Sequence, residues 1–297
     1  MGKSTITGIV HLSRYREYTT TVIITTLLGF LATGLRFDAG YIPQMFAVLL
    51  ANLLAVAFSF MINDVEDAPD DARDRSKAVR NPVSAKYISA NVSYIASGLV
   101  AFLSVIIFYF VGQIPFFLGT STVILGFLYS WKLIRLKNIP VFDLISHGLM
   151  LAGLQLLCAY YALVPFTGFH TAWLLPFLFV TAISIRGQFV NQIRDFECDK
   201  KAGLKNTSAI IGVKNADLLM KVFLGMAVLI CVIAIITKFF PLWIIIMMLF
   251  FAFFLNIYGG RTKPDGKHRP EETILLQNSL LTASLITLGL WTFSRFF

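Results

Sequence analysis

Long apolar blocks alternate with short polar connections along the whole chain, and that alternation sets the architecture it predicts. Apolar windows lie near 19–36, 42–62, 91–112, 114–131, 139–163, 172–192, 217–237, 240–258 and 274–294. Each is long enough to cross the ~30 Å hydrocarbon layer as a helix, the element that satisfies its own backbone in lipid. The pattern predicts an all-α membrane protein with nine transmembrane helices in one polytopic domain, residues 1–297. The larger polar loops fall at 63–90 and 193–216.

Composition agrees with that reading. Hydrophobic residues make up 57% of the chain and charged ones 14%, with a mean hydropathy of +0.75. That is too little charge for a soluble domain. The net charge of +9 is spread over alternate connections instead of forming a nucleic-acid-binding patch. All of the 25 basic residues except Arg36, Lys238 and Arg295 lie before the first span or in and around the connections that follow the second, fourth, sixth and eighth, Arg186 and Lys221 being within the span ends that flank the third of these. By the positive-inside rule the N-terminus is cytoplasmic, and an odd number of spans puts the C-terminus on the opposite side. Gly2 to Thr20 carries Lys3, Arg14 and Arg16 ahead of a full-length span, so no cleaved signal peptide is expected. Cys158, Cys198 and Cys231 show no paired or metal-like spacing.

Chemistry concentrates at two span exits on the same side. The second span runs into Asn63-Asp64-Val65-Glu66-Asp67-Ala68-Pro69-Asp70-Asp71, with Asp74 just beyond. Carboxylates this dense repel one another unless a cation gathers them, and Mg²⁺, held by one or two carboxylates together with phosphate oxygens, suits such a set. The sixth span ends in Asn191, Arg194, Asp195 and Asp199, where Asn191, Asp195 and Asp199 repeat the four-residue steps of Asn63, Asp67 and Asp71. Residues at those steps share one helix face. Pro69 interrupts the first set and allows Asp71 to lie on a turn instead. One acidic cluster at a membrane exit reads equally well as a solvated loop; two of the same pattern, four spans apart, suggest duplication and a shared site. Arg80, Arg135, Lys137, Arg194, Lys200 and Lys205 stand near the acids as candidate phosphate partners.

Inside the fifth span, Asp143 and His147 sit one helical turn apart. They read either as a pair that orients or deprotonates an acceptor or as a hydrogen-bonded tie between helices. Asn52, Gln155, Gln188, Gln277 and Asn278 are expected to make interhelical hydrogen bonds.

These residues resemble the UbiA superfamily of intramembrane prenyltransferases. Asn63-x-x-x-Asp67-x-x-x-Asp71 with Asp64 is similar to its NDxxDxxxD motif, and Arg80-Asn81-Pro82-Val83-Ser84 to the segment that follows. Tyr129-Ser130 with Arg135-Leu136-Lys137 resembles YSxPPxRLK, although Trp131-Lys132-Leu133 replaces the prolines. Asp195-x-x-x-Asp199, with Lys200, Gly203 and Thr207, resembles the second motif.

The resemblance implies nine helices around a central cavity capped by cytoplasmic loops. It also implies Mg²⁺ on Asp67, Asp71, Asp195 and Asp199, with Asn63, Asp64, Arg80, Tyr129, Arg135, Lys137, Asn191, Arg194 and Lys200 at the diphosphate. The implied activity is transfer of a prenyl group from a prenyl diphosphate to a hydrophobic acceptor, with release of pyrophosphate. A quinone-precursor ring is the favoured acceptor. Asn191-x-x-Arg194-Asp195 resembles the menaquinone branch, whereas Asp143-x-x-x-His147-Gly148 resembles the lycopene elongase pattern. An isoprenoid, carotenoid or glycerol-phosphate lipid acceptor, or a terpene cyclase of the same superfamily, stays open. So does an ion-coupled transporter, although transporter sites lie near the bilayer midplane and these acids crowd one surface.

Overall fold

The computed structural model describes residues 5–73, 75–165, 171–201, 203–258 and 270–297, and every regular element among them is helical. Asp74, Lys3, Arg261, Lys263, Lys267 and Arg269, used above in the acid and charge patterns, lie outside the described residues, as does the side chain of Gln277.

The helices are α1 (Thr5–Ser13), α2 (Thr19–Ala32), α3 (Ile42–Asp71), α4 (Arg75–Arg80), α5 (Ala90–Val111), α6 (Gln113–Ser130), α7 (Phe142–Gly148), α8 (Leu154–Leu163), α9 (Leu174–Arg194), α10 (Phe196–Lys201), α11 (Thr207–Ile211), α12 (Val213–Ile236), α13 (Leu242–Tyr258) and α14 (Pro270–Ser294). Each apolar window of the sequence is helical, and all but the fifth, which α7, a π-helical turn and α8 share, fall on a single helix. Among the described residues, six stretches are long and apolar enough to cross a membrane: Ala39–Asp71, Ala90–Val111, Gln113–Ser130, Phe142–Leu163, Leu174–Arg194 and Val213–Ile236. Thr19–Ala32 and Leu242–Phe251 are shorter apolar helices.

α3 is the axis of the assembly. It packs against α5, α6, α8 and α2, and its inner face buries Val48, Ala51, Ala55 and Val56 completely. Close approach to α6 depends on Gly126, where a Cβ would lie 2.2 Å from Ser59 Oγ; α2 meets α8 at Gly29, where a Cβ would lie 2.4 Å from the Leu156 carbonyl oxygen. Asn52 Nδ2 ties three elements, donating to Thr26 Oγ1 at 2.9 Å and to the Gln155 carbonyl at 3.2 Å. Such bonds contribute roughly 0.6 kcal/mol each inside a membrane bundle. Gln188 donates across to Tyr129 Oη, Gln155 bonds within its own span to the Met150 carbonyl, and Asn278 is exposed.

Two departures from the sequence pattern shape the site. α3 has 30 residues with Pro69 inside it, so it is about 45 Å long at 1.5 Å per residue and overshoots the hydrocarbon by several turns. Those extra turns carry the acids, and Asp71 stays helical although Pro69 removes one backbone hydrogen bond from the last turns. The second motif is different. α9 stops at Arg194, Asp195 is its C-cap with φ −94° and ψ 5°, and α10 begins afresh at Phe196. The four-residue steps survive as backbone bonds, Asp195 N–H to the Asn191 carbonyl and Asp199 N–H to the Asp195 carbonyl. One regular helix does not run through Asn191, Asp195 and Asp199, because it is interrupted at Asp195.

The fifth apolar window is likewise not one regular helix. Between α7 and α8 lies a π-helical turn, Leu149–Gly153, a feature that often accompanies functional sites.

Candidate active site

The first acidic helix end is held by cations from the connection after α6. Lys137 Nζ lies 2.5 Å from Asp67 Oδ2 and donates to Asn63 Oδ1 at 2.9 Å. Arg135 Nη2 donates to Asp67 Oδ1 and to Asp70 Oδ2, both at 3.0 Å. Arg135 adopts φ 50° and ψ 61°, a left-handed conformation that costs a non-glycine residue roughly 1–2 kcal/mol. That strain is concentrated where the chain turns its guanidinium onto the acids. Ser130 Oγ adds a bond to Asn63 Oδ1, so the run from Ser130 to Lys137 wraps the end of α3.

Acids of this run that face elsewhere serve the scaffold. Glu66 is buried and accepts from Tyr94 Oη at 2.8 Å. Asp64, also buried, accepts from Arg14 Nη1 at 3.1 Å and turns toward the N-terminal segment. Arg14 is bonded to Glu17 as well, and its guanidinium lies 5.2 Å from the Phe60 ring centroid. Burial works against its charge, but Asp64 and Glu17 outweigh that and hold Arg14 above its ordinary pKa.

The two acidic ends meet through Lys77 of α4. Its ammonium lies 3.2 Å from Asp199 Oδ1. Burial alone would lower the Lys77 pKa, but the combined field of Asp199, Asp195 and Asp71 raises it. One lysine therefore sits within electrostatic reach of both motifs. Asp199 shows the converse: burial raises its pKa, and Lys77 and Lys137 only partly offset that.

A local repeat accompanies this convergence. Asn81 Nδ2 donates to Asp71 Oδ2 at 2.8 Å while its Oδ1 accepts from Val83 N–H. Asn206 Nδ2 donates to Asp199 Oδ2 at 3.0 Å while its Oδ1 accepts from Ala209 N–H. In each motif the last aspartate is held by an asparagine from the loop behind it, and the asparagine is itself fixed by the backbone.

The other expected site residues divide as follows. Arg194 is bidentate on Asp195, Nε to Oδ1 at 2.9 Å and Nη2 to Oδ2 at 2.8 Å. Arg80 pairs with Glu17 instead of a motif acid, and both are well exposed. Asn191 and Lys200 are exposed. Tyr129 Oη accepts from Gln188 Nε2. Asp143 and His147 do not bond to each other: Asp143 is fully buried against Gln192 and Thr207, and His147 Nδ1 meets Ser184 Oγ at 3.1 Å.

Arg14, Lys77, Asn81, Asn206 and Gln192 were not singled out by the sequence. Only Asn81 carried a local signal, through the arginine–asparagine–proline segment.

Chemically, the ends of α3 and α9 with α4 and α10 present carboxylate oxygens interleaved with ammonium and guanidinium groups. Carboxylate oxygen is the donor that Mg²⁺ prefers, so Asp67, Asp71, Asp195 and Asp199 fit that ion by donor chemistry. Among the described residues no tight group of three or more such ligands forms, because lysine and arginine intervene. Those same cations suit an oxyanion that would enter with the metal.

Comparison with known proteins agrees with this arrangement. A family model described as the UbiA prenyltransferase family matches residues 22–285. A digeranylgeranylglyceryl phosphate synthase of Sulfolobus acidocaldarius is 25% identical over 206 residues, 69% of this chain and 70% of the relative. One of the same name from Pyrococcus horikoshii is 22% identical over 203 residues, 68% and 69% of the two chains. The fold matches the structure of a UbiA homologue from Archaeoglobus fulgidus bound to DMAPP and Mg²⁺, with TM-score 0.68, 20% identity and coverage of 96% of this chain and 98% of that one. With both acidic motifs inside a match that runs through most of its length, this chain belongs to the UbiA prenyltransferase family.

Proposed function

We propose that the protein transfers a prenyl group from a prenyl diphosphate to a hydrophobic acceptor within the membrane, releasing pyrophosphate, with Mg²⁺ as cofactor. The observation that carries this reading is Lys77, which pairs with Asp199 and lies in the field of Asp195 and Asp71: two acidic ends, distant in sequence, serve one polar site. Mg²⁺ held by Asp67, Asp71, Asp195 and Asp199 would neutralise the charge that develops on the departing diphosphate. Arg135, Lys137 and Lys77 bind the remaining phosphate oxygens, while Asn63, Asn191, Arg194 and Lys200 line the approach. The allylic C–O bond breaks, its electron pair leaves with pyrophosphate, and the acceptor nucleophile attacks the prenyl carbon and then gives up a proton. Apolar walls exclude water while the carbon is cationic.

Nine helices around a central cavity form one polytopic domain in this reading, with the N-terminus and the acidic loops cytoplasmic and the C-terminus opposite. The distribution of lysine and arginine supports that orientation. For the acceptor, the two relatives named digeranylgeranylglyceryl phosphate synthase favour a glycerol-phosphate lipid carrying an isoprenoid chain over a quinone-precursor ring. A panel assay decides it: purified protein with a prenyl diphosphate and, separately, prenylglyceryl phosphate, naphthoate, benzoate or carotenoid acceptors, with and without Mg²⁺. Product with the glyceryl phosphate alone, and only with Mg²⁺, is expected. Product with naphthoate or benzoate alone would return the quinone reading, and a cyclised product without acceptor would indicate a cyclase.

A further inference from the structure

Asp143 is the most completely satisfied buried carboxylate among the described residues, and its partners lead away from the membrane interior. It is fully buried at the start of α7. Its Oδ2 accepts from Gln192 Nε2 at 2.6 Å and from Thr207 N–H at 2.7 Å, and its Oδ1 accepts from Leu144 N–H at 2.9 Å and from Thr207 Oγ1. Gln192 continues the network, its Oε1 accepting from Ser208 N–H at 3.1 Å and Ser208 Oγ at 2.8 Å. Thr207 in turn accepts from Val141 N–H at 2.7 Å. Val141 is β-branched and held at φ 72°, a conformation such a residue adopts only when its surroundings enforce it. The connection from Asn138 to α7 and the loop before α11 are thus locked face to face, with Asn138 Oδ1 also accepting from Lys205 N–H.

The residue preceding Thr207 is Asn206, whose amide holds Asp199 Oδ2. The path from Asp143 to the second acidic motif is one peptide and two hydrogen bonds long. A carboxylate whose lone pairs are taken by four donors has none left to accept a substrate proton.

We propose that Asp143 is a positioning residue for the second acidic motif: by clamping Thr207 it fixes Asn206, and through Asn206 the orientation of Asp199 toward the metal–diphosphate site. The metal end of this proposal rests on the functional reading above; the docking of the 203–211 loop does not.

The test is Asp143→Asn, which presents an amide where one backbone N–H must be accepted, with Thr207→Val as a gentler cut should the first variant fold poorly. Mn²⁺ binding in the presence of inorganic pyrophosphate is followed by electron paramagnetic resonance, and hydrogen exchange is measured on metal-free protein. Residues one step removed from a metal typically change its affinity 10–100-fold. Mn²⁺ affinity is therefore expected to fall about tenfold or more in Asp143→Asn and in Asn206→Ala, with the double variant well short of the product of the two. Exchange should quicken over 196–211 and stay unchanged in α3 and α5, and turnover at saturating Mg²⁺ should recover most of its rate. Unchanged Mn²⁺ affinity with a lost rate and a shifted pH profile would overturn the proposal and make Asp143 a proton-transfer group. Uniformly faster exchange with unchanged metal affinity would reduce it to general scaffolding. Absence of Mn²⁺ binding by the wild type would instead refute the metal reading of the site, while the exchange comparison still decides whether Asp143 holds the loop.

Discussion

Replacing Lys77 with methionine isolates the charge that joins the two acidic ends. Its ammonium lies 3.2 Å from Asp199 Oδ1, with side-chain exposures of 31% and 14%. At an effective dielectric of about 20, unit charges at that distance attract by about 5 kcal/mol before desolvation and side-chain ordering are subtracted. Exposed pairs retain roughly 0–1 kcal/mol and broken buried pairs cost about 3–5 kcal/mol. A half-buried pair, discounted for screening, should cost about 1–2 kcal/mol when broken. The sign depends on metal. Without divalent ions, Lys77→Met removes the ammonium paired with Asp199 and leaves Asp195 to Arg194 and Asp71 to the Asn81 amide, and the protein loses that amount. With saturating Mg²⁺ and pyrophosphate the metal supplies the missing positive charge and the loss shrinks. Thermal denaturation in detergent, in chelator and then in Mg²⁺ with pyrophosphate, reads the difference directly. An equal loss in both conditions, or none in chelator, would refute the view that Lys77 compensates both motifs.

Other consequences follow from the same geometry. Arg14→Met strands the buried Asp64 carboxylate and should cost about 3 kcal/mol, whereas the Arg14→Met/Asp64→Leu double variant should recover much of it; a denaturation-based mutant cycle checks this. Gly126→Ala places a methyl against Ser59 and should lower stability by about 1–3 kcal/mol without altering the Mg²⁺ requirement of the folded protein. Because burial holds the Asp199 pKa above its ordinary value, protons compete with metal there at higher pH than at an ordinary carboxylate. The Mg²⁺ needed for half-maximal turnover should therefore climb as pH falls below neutrality, and a flat Mg²⁺ requirement across that range would contradict the assignment of Asp199 as a ligand.

The span pattern and the acidic ends were legible because both are local. Periods of apolar residues long enough for lipid identify the helices, and the steps from Asn63 to Asp67 to Asp71 follow from helix geometry alone. Partners fixed by tertiary packing were not. Arg14 reaches Asp64 across 50 residues, Lys77 reaches Asp199 across 122, and Asp143 reaches Thr207 across 64, and nothing in the local sequence shows which partner each of these acids takes. Asp143 and His147, one turn apart on paper, part company because α9 offers each a different partner, Gln192 and Ser184. Spacing also misled at Asp195, where the four-residue step persists in the backbone bonds but the regular helix is interrupted. Pro69 misled in the other direction, since the last turns of α3 are braced by the loop behind them: Ser84 Oγ donates to the Ala68 carbonyl and Asn81 Nδ2 to that of Asp64.

Pyrophosphate release by purified Asp67→Ala, Asp195→Ala and the double variant tests most directly whether the two acidic ends form a single site. If they do, each single variant loses Mg²⁺-dependent release almost completely, with the bundle still folded, and the double variant is little worse than either, as residues acting as one unit behave. Undiminished turnover in either single variant would show that its motif takes no part in the chemistry.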